Sequence, residues 1–361
     1  MRNASCGRQR PRHAMSPFGW LMARIERLGR SRSDANSTDD IREALDRILR
    51  IAPQVRLANR YESRLGPLVR GALRYARELV DALPAPRDAT PSAWADDACL
   101  RAMFATSDDI THVVGQSYDL RSWFDAHYAA QYAYAVLSSR LVERRVLGVA
   151  DEAGVVRSDV PRIAVSFDDK RIRICDETDA ALRNDIVLRI IEQLALEATS
   201  RISAQEAQRE VLKETRALLV ARMQMLGRRG AGMSGMSGAS PAYGVAPTDF
   251  ARLEREMAEN QAALASLGSR AEAVEQQLGA LADVLGGPAA LIRVDRKTLR
   301  LDCMNLVVEA PGDERAAELT LHLAHLPMQP PEVRAVQLVR VARRDMPAAG
   351  GAIDDVARWL I

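Results

Sequence analysis

The sequence predicts an α+β protein with a helical N-terminal region, a small antiparallel sheet domain and a long antiparallel coiled-coil hairpin inserted into that sheet domain. Two observations predict this architecture. Apolar residues recur every seven positions through 249–285, and segments with alternating apolar and polar residues flank the helical stretch on both sides. The 361 residues are 27% charged and only 4% aromatic, a composition typical of long helices.

The same patterns divide the chain into four parts. The basic N-terminal end comes first, the helical domain second, and the sheet domain is formed by two separated segments that flank the hairpin. The predicted limits are 1–37 for a disordered basic end with a short amphipathic helix, 38–138 for the helical domain, 139–186 with 287–361 for the sheet domain, and 187–286 for the hairpin with a flexible tip at 227–248.

The N-terminal end is strongly basic, with eight arginines and one acid between Met1 and Arg32. Residues 1–14 show no periodicity, so we expect them to be disordered, and Met15 is an alternative translation start. Beyond Met15, apolar residues follow one face of a helix: Phe18, Leu21, Met22, Ile25 and Leu28. This basic amphipathic helix at 15–30 fits three interpretations: packing on its own protein, docking into a partner's groove, or lying on an anionic membrane surface.

The region from 38 to 137 is predicted to be helical. A helix over 39–51 stops before Pro53, and a second over 54–83 is kinked or split at Gly66-Pro67. Three further helices are expected from N-cap serines at 92, 107 and 117. Half of the aromatic rings fall within 92–137, which favours a compact ring-rich core over a cofactor or base-stacking site: Trp94, Phe104, Tyr118, Trp123, Phe124, Tyr128, Tyr132 and Tyr134.

Alternation with a period of two begins near residue 144. One turn is expected at 151–154, and a hairpin is expected with strands 163–167 and 172–174 joined by Asp168-Asp169-Lys170. Alternation returns after the hairpin, near Leu299 and Leu319, and a last strand is expected at 336–341. The ends of an antiparallel hairpin lie side by side, so we expect both groups of strands to meet in one sheet.

The two helices of the predicted hairpin have matched lengths. Residues 188–226 span ~58 Å and residues 249–285 span ~55 Å at 1.5 Å per residue. Asn260 is a polar exception in the heptads of the second helix, where it is expected to fix the register. The Gly-rich tip carries Met233 and Met236, which we expect to contact a partner.

No local signature of catalysis, metal binding or cofactor binding is present, so no catalytic residue, metal ligand or cofactor is predicted. The tip lacks the Lys-Ser/Thr pair of a phosphate-binding loop, and His322 and His325 lie on opposite faces of a strand. The 50 Lys and Arg residues are nearly balanced by 48 Asp and Glu residues, which disfavours nucleic-acid binding. No small-molecule ligand is indicated.

The sequence therefore favours a non-enzymatic scaffold or interaction protein that uses the hairpin for partner binding or self-association. The alternatives are a peripheral membrane protein anchored through 15–30 and an enzyme with a distributed site around residues such as His112 and His127. Four scattered cysteines and the absence of a signal-peptide pattern predict a cytoplasmic protein, with membrane association left open. The excess of arginine over lysine reflects codon composition more than ligand binding, and the chain as a whole is interpreted as bacterial.

Overall fold

The computed structural model describes residues 38–152, 155–233, 247–267, 272–308, 316–327 and 331–347. The α-helices in these ranges are α1 (Thr38–Ile51), α2 (Tyr61–Asp81), α3 (Ala98–Met103), α4 (Ser107–Gln116), α5 (Tyr118–Ala126), α6 (Asp179–Met233), α7 (Pro247–Ser266) and α8 (Ala273–Gly286). The strands are β1 (Arg87–Asp88), β2 (Tyr132–Glu152), β3 (Val155–Asp176), β4 (Arg293–Leu301), β5 (Ala317–Leu326) and β6 (Glu332–Ala342). The predicted α+β class is confirmed.

The strands form one sheet in the order β3-β2-β6-β5-β4, with antiparallel neighbours throughout. The short β1 pairs with β6 in parallel. Strands β2 and β3 precede α6, whereas β4, β5 and β6 follow α8. The strands on the two sides of the helical hairpin therefore meet in one sheet, as the sequence predicts.

The predicted hairpin around Asp168-Asp169-Lys170 is wrong. Strand β3 runs through these residues and pairs along its length with β2. Strand β2 ends at Glu152, within the turn expected at 151–154. Asp169 has a φ of 49°, and the register with β2 shifts between Ser138 and Arg140. The Asp-rich stretch thus forms a β-bulge inside a strand, because Asp tolerates the left-handed conformation that both turns and bulges use.

The first core is built by helices alone. Helices α1 and α2 both pack against the part of α6 nearest the sheet, and α2 also packs against α8, with Leu65, Leu73, Ile191 and Leu281 fully buried. The predicted helix 54–83 begins as a 3₁₀ turn at Pro53–Leu57, and α2 starts only after Arg60, whose φ is 53°. The chain is thus interrupted before Tyr61, whereas Pro67 lies within the continuous helix α2.

The second core lies between α3, α4, α5 and one face of the sheet. Its helices begin at side-chain caps: Asp97 accepts from the Cys99 and Leu100 amides, Thr106 forms a capping box with Asp109, and Ser117 accepts from Leu120. Of the three predicted caps, Ser117 is observed, Ser107 lies one residue past the true cap, and Ser92 lies in a turn. The helices of 38–138 are therefore divided between two cores.

The expected compact core of eight rings is wrong as well. Phe104 and Phe124 are buried, and Trp94 and Trp123 pack at the edge of the second core. In contrast, Tyr118, Tyr128 and Tyr132 are exposed. The helices α3 to α5 are short and lie flat on the sheet, so aliphatic side chains of the strands supply most of the apolar surface that they cover.

The hairpin arms are longer at the base and less regular than expected. Helix α6 extends the predicted arm at both ends, and the return arm is divided into α7 and α8, both of which contact α6. Residues 227–233 of the expected tip continue α6, and 234–246 lie outside the described residues. Because 187–198 and 274–285 belong to the first core, the projecting part is shorter than the predicted insertion 187–286.

Candidate protein-interaction surface

The inner face of the hairpin carries the apolar positions that the heptads predict. Near the base these side chains are buried, and farther out they are half-buried between the arms except for Leu253, which is buried. The positions on α6 are Leu188, Ile191, Ala195, Ala198, Ile202, Leu212, Leu219 and Leu226, and those on the return arm are Leu253, Met257, Leu264, Val274, Leu278, Leu281 and Leu285. The arms thus cover each other along one face of each helix.

Asn260 lies inside this interface, as its heptad position predicts. Its side chain is buried, and its Nδ2 donates to the Leu212 carbonyl at 3.0 Å. Its Oδ1 has no hydrogen-bond partner among the described residues. Nearer the base, Arg209 and Gln276 both donate to the Leu267 carbonyl, the latter at 3.1 Å. The bonds donated by Asn260 and Arg209 cross between the arms and fix their relative position, whereas the bond donated by Gln276 lies within the return arm.

The opposite face of α6 carries a second apolar row that the sequence analysis missed. Val211, Leu218 and Met225 are spaced by seven residues and are 60%, 72% and 66% exposed. Four further exposed residues lie between and beside them, so that successive members are alternately three and four residues apart: Ala204, Ala207, Glu214 and Ala221. We call these seven residues the outer stripe. This spacing places them along one side of a helix, so they form a continuous surface about 32 Å long at 1.5 Å per residue.

The seven-residue spacing of the outer stripe is present in the sequence, but it lies beside the stronger leucine pattern of the inner face. Leu212, Leu219 and Leu226 follow its members by one residue each and lie on the inner face. In the sequence, two neighbouring apolar rows on one helix form a single broad apolar pattern. Only the packing of the helix shows which row faces the other arm. Exposed apolar rows of this kind are typical of interaction sites.

The polar surroundings of the outer stripe are mixed in charge. Lys213 pairs with Glu210 at 2.6 Å on the exposed side of α6. Such exposed pairs contribute little to stability and leave the helix soluble while its apolar row is uncovered. An open crevice of about 430 Å³ lies between the arms and is lined by residues that include Ile202, Arg209, Lys213 and Gln276.

The other predicted interaction residues are described only in part. Phe18, Leu21, Met22, Ile25 and Leu28 lie outside the described residues, and so does Met236. Met233 is the last residue of α6, and nothing is described of its side chain. Within the ranges that the structure describes, no helix is both long and apolar enough to cross a membrane.

The histidines are placed separately in the fold. His112 contacts Gln116 at 2.7 Å, and His127 stacks on Trp123 with ring centroids 4.4 Å apart. His322 is buried, and its Nδ1 has no partner among the described residues. Burial lowers the pKa of His322, and the nearby Arg296 and Arg87 lower it further. His325 lies 2.8 Å from Asp295 at the sheet edge.

The structure does not bring these groups into one cluster. No three His, Cys, Asp or Glu side chains come together as a metal site within the described part of the chain. The crevice beside Ser117 and Lys170, of about 400 Å³, contains Asp169 and Arg171, which pair with each other at 2.8 Å. The hairpin surface is therefore the candidate functional site.

Comparisons with family models, with curated proteins and with solved structures find no match to this chain.

Proposed function

We propose that this chain is a non-enzymatic interaction or scaffold protein that binds through the outer stripe of its helical hairpin. One observation carries the proposal: three large apolar side chains are exposed at heptad spacing on a helix whose other face is already occupied by the return arm. Apolar side chains at this spacing are suited to packing against a further helix.

The hairpin is also suited to presenting such a surface. Its base is fixed by the first core, where Leu188, Ile191 and Leu281 are buried. Among the described residues, none from 203 to 228 on α6 belongs to either core. A binding partner can therefore approach the outer stripe without displacing either core.

Site-specific photo-crosslinking tests this proposal. A photoreactive amino acid at Leu218 is expected to give a discrete covalent adduct, either with a second copy or with another protein. The matched control is Leu57, which is 78% exposed but lies on the helical base. The adduct at 218 should disappear when Val211 and Met225 are both changed to Asp, because the charges disrupt the apolar surface.

The absence of any adduct from position 218, in cells and with purified protein, would overturn the proposal. Equal adducts from positions 57 and 218 would also contradict it, because they would show contact without a preferred surface. Mass spectrometry of the adducts identifies the crosslinked protein and separates self-association from binding to another chain.

A further inference from the structure

We infer that the occupant of the outer stripe is the outer stripe of a second copy of this chain, packed antiparallel. The inference rests on the proposed function and deepens it by naming the partner. It follows from three features: the reach of the predicted N-terminal helix, the alternation of large and small side chains in the stripe, and the position of Glu214.

The amphipathic segment of the same copy, in its predicted helical form, would end short of the far half of the stripe. The start of α1 lies beside the sheet end of α6, because Asp40 pairs with Arg77 of α2, and Arg183 of α6 donates to the Val80 carbonyl. The distance from residue 183 to Leu218 along the axis of α6 is ~52 Å. Nine residues, 29–37, reach at most ~32 Å, and the helix predicted from the sequence would add ~15 Å over 18–28, so in that form the segment would end short of Leu218 and Met225.

The stripe is complementary to itself in the antiparallel sense. When two stripes are aligned about residue 216, Met225 faces Ala207, Val211 faces Ala221, and Leu218 faces Glu214 of the other copy. Each large apolar side chain then meets a small one or the flexible stem of Glu214, as interdigitated helices require. This alignment also places each row of three large residues within the overlap.

Glu214 disfavours the other simple arrangement. In an in-register parallel pair, Glu214 would face Glu214 of the second copy in the middle of an apolar seam, and like charges in such a position are strongly unfavourable. In the antiparallel alignment the two Glu214 side chains are four residues apart along the axis, or ~6 Å. The two hairpin bases are then ~50 Å apart, which leaves room for both bodies.

The size of the stripe sets the expected affinity. A contact about 32 Å long and one helix wide lies at the small end of specific interfaces, so we expect reversible association in the micromolar range. Sedimentation equilibrium of the full chain from about 1 to 200 µM should show a monomer–dimer equilibrium. Leu218→Asp should weaken it at least tenfold, whereas Leu57→Asp, the same change at a similarly exposed site, should not.

Disulfide crosslinking tests the direction of packing, in a chain whose Cys6 and Cys303 are changed to Ser. A mixture of Val211→Cys and Ala221→Cys chains should form a covalent dimer on mild oxidation. Val211→Cys alone should not, because the two residues 211 would be ~15 Å apart in the antiparallel pair, too far for a disulfide. Circular dichroism checks that every variant remains folded.

Three outcomes overturn the inference: a chain that stays monomeric at all concentrations, rapid crosslinking of Val211→Cys alone, or equal weakening by Leu57→Asp. A monomeric chain that still forms a Leu218 photo-adduct with a different protein would refute the second copy and leave the proposed function standing. A monomeric chain with no adduct would refute both.

Discussion

At the scale of single residues, Arg334 shows how one side chain holds an irregular stretch of the sheet. Its buried guanidinium lies 2.9 Å from Asp169 Oδ2 and 2.6 Å from Glu332 Oε1, and it also donates to the Asp169 carbonyl at 2.5 Å. Asp169 is the residue with positive φ in the β3 bulge. Arg334 on β6 thus fixes the backbone of β3 across the intervening strand β2.

Arg334→Leu is expected to destabilise the protein by about 3 kcal/mol, because breaking a buried ion pair leaves carboxylates without their partner. The measurement is urea unfolding followed by tryptophan fluorescence, since Trp94 and Trp123 pack on the sheet core. Arg340→Leu on the same strand is the matched control: its pair with Asp88 is exposed, and we expect about 1 kcal/mol or less. Equal effects of the two changes would contradict the role given to Arg334.

The same contact gives the stability a defined pH dependence. The hydrogen bond from Arg334, followed by that from Arg171, lowers the pKa of Asp169. A carboxyl whose pKa is lower in the folded state contributes stability above its unfolded pKa of about 3.9 and loses it as the pH falls through the folded value. The stability difference between the natural chain and Asp169→Asn should therefore shrink from about pH 5 to pH 3. A constant difference would contradict this assignment.

The described cysteines are expected to differ sharply in reactivity. Burial raises the pKa of Cys99 to about 11 and that of Cys175 to about 12, so their reactive thiolates are scarce at neutral pH. Cys303 is exposed. In a Cys6→Ser chain, a thiol reagent at pH 7.5 should label one site rapidly, and Cys303→Ser should abolish that fast phase. Fast labelling of two or more sites in the folded chain would contradict the burial.

At the scale of elements, the hairpin arms are held in register by an amide placed inside an apolar interface. Asn260 satisfies its Nδ2 on the Leu212 carbonyl but leaves its Oδ1 without a partner in the described structure. A buried polar atom without a partner is costly, whereas an asparagine in an apolar seam restricts the register that helices can adopt. Stability therefore favours an apolar residue at position 260, whereas a unique register of the two arms favours asparagine.

Asn260→Leu is expected to stabilise the hairpin by about 1 kcal/mol while relaxing its register, because a buried unpaired oxygen is replaced by apolar contact. Hydrogen exchange of the α6 and α7 amides measures both effects. Asn260→Asp is the opposing variant, since it buries a charge and should accelerate exchange in the same segments. Faster exchange in Asn260→Leu would contradict the packing described here.

At the scale of the whole molecule, one core lies between helices and the other between helices and the sheet, and the described outer part of the hairpin belongs to neither. The base of the hairpin is part of the first core, through Leu188, Ile191, Leu194, Leu278 and Leu281. The described residues between 203 and 272 contribute to neither core. Ile202 and Ala273 line the same crevice, so the arms can be joined there by a short linker.

Replacing residues 203–272 with a short Gly-Ser linker should leave the body folded, because both cores keep their side chains. Thermal unfolding followed by circular dichroism should show a midpoint within a few degrees of that of the full chain. Deleting 188–285, which removes much of the first core, should abolish the cooperative transition instead. Unfolding of the shorter deletion would show that the outer hairpin stabilises the body.

The mispredicted elements share a physical cause. The Asp168-Asp169-Lys170 stretch has the local chemistry of a turn, yet pairing with β2 and the guanidinium of Arg334 keep it inside a strand. The ring-rich region contains short helices that were expected to pack on each other and instead pack on the sheet. In both cases, contacts with residues far away in the chain override the local preference.

The sequence by itself determined the helical hairpin, its inner apolar face, the position of Asn260 and the alternation of the strands around the hairpin. These features are periodic, and periodicity is a local property that burial of one face imposes on each element. Only the tertiary structure decided that the helices belong to two cores, that α6 has an uncovered outer stripe, and that β3 contains a bulge. These depend on which face meets a neighbour, and that choice is made by packing between distant segments.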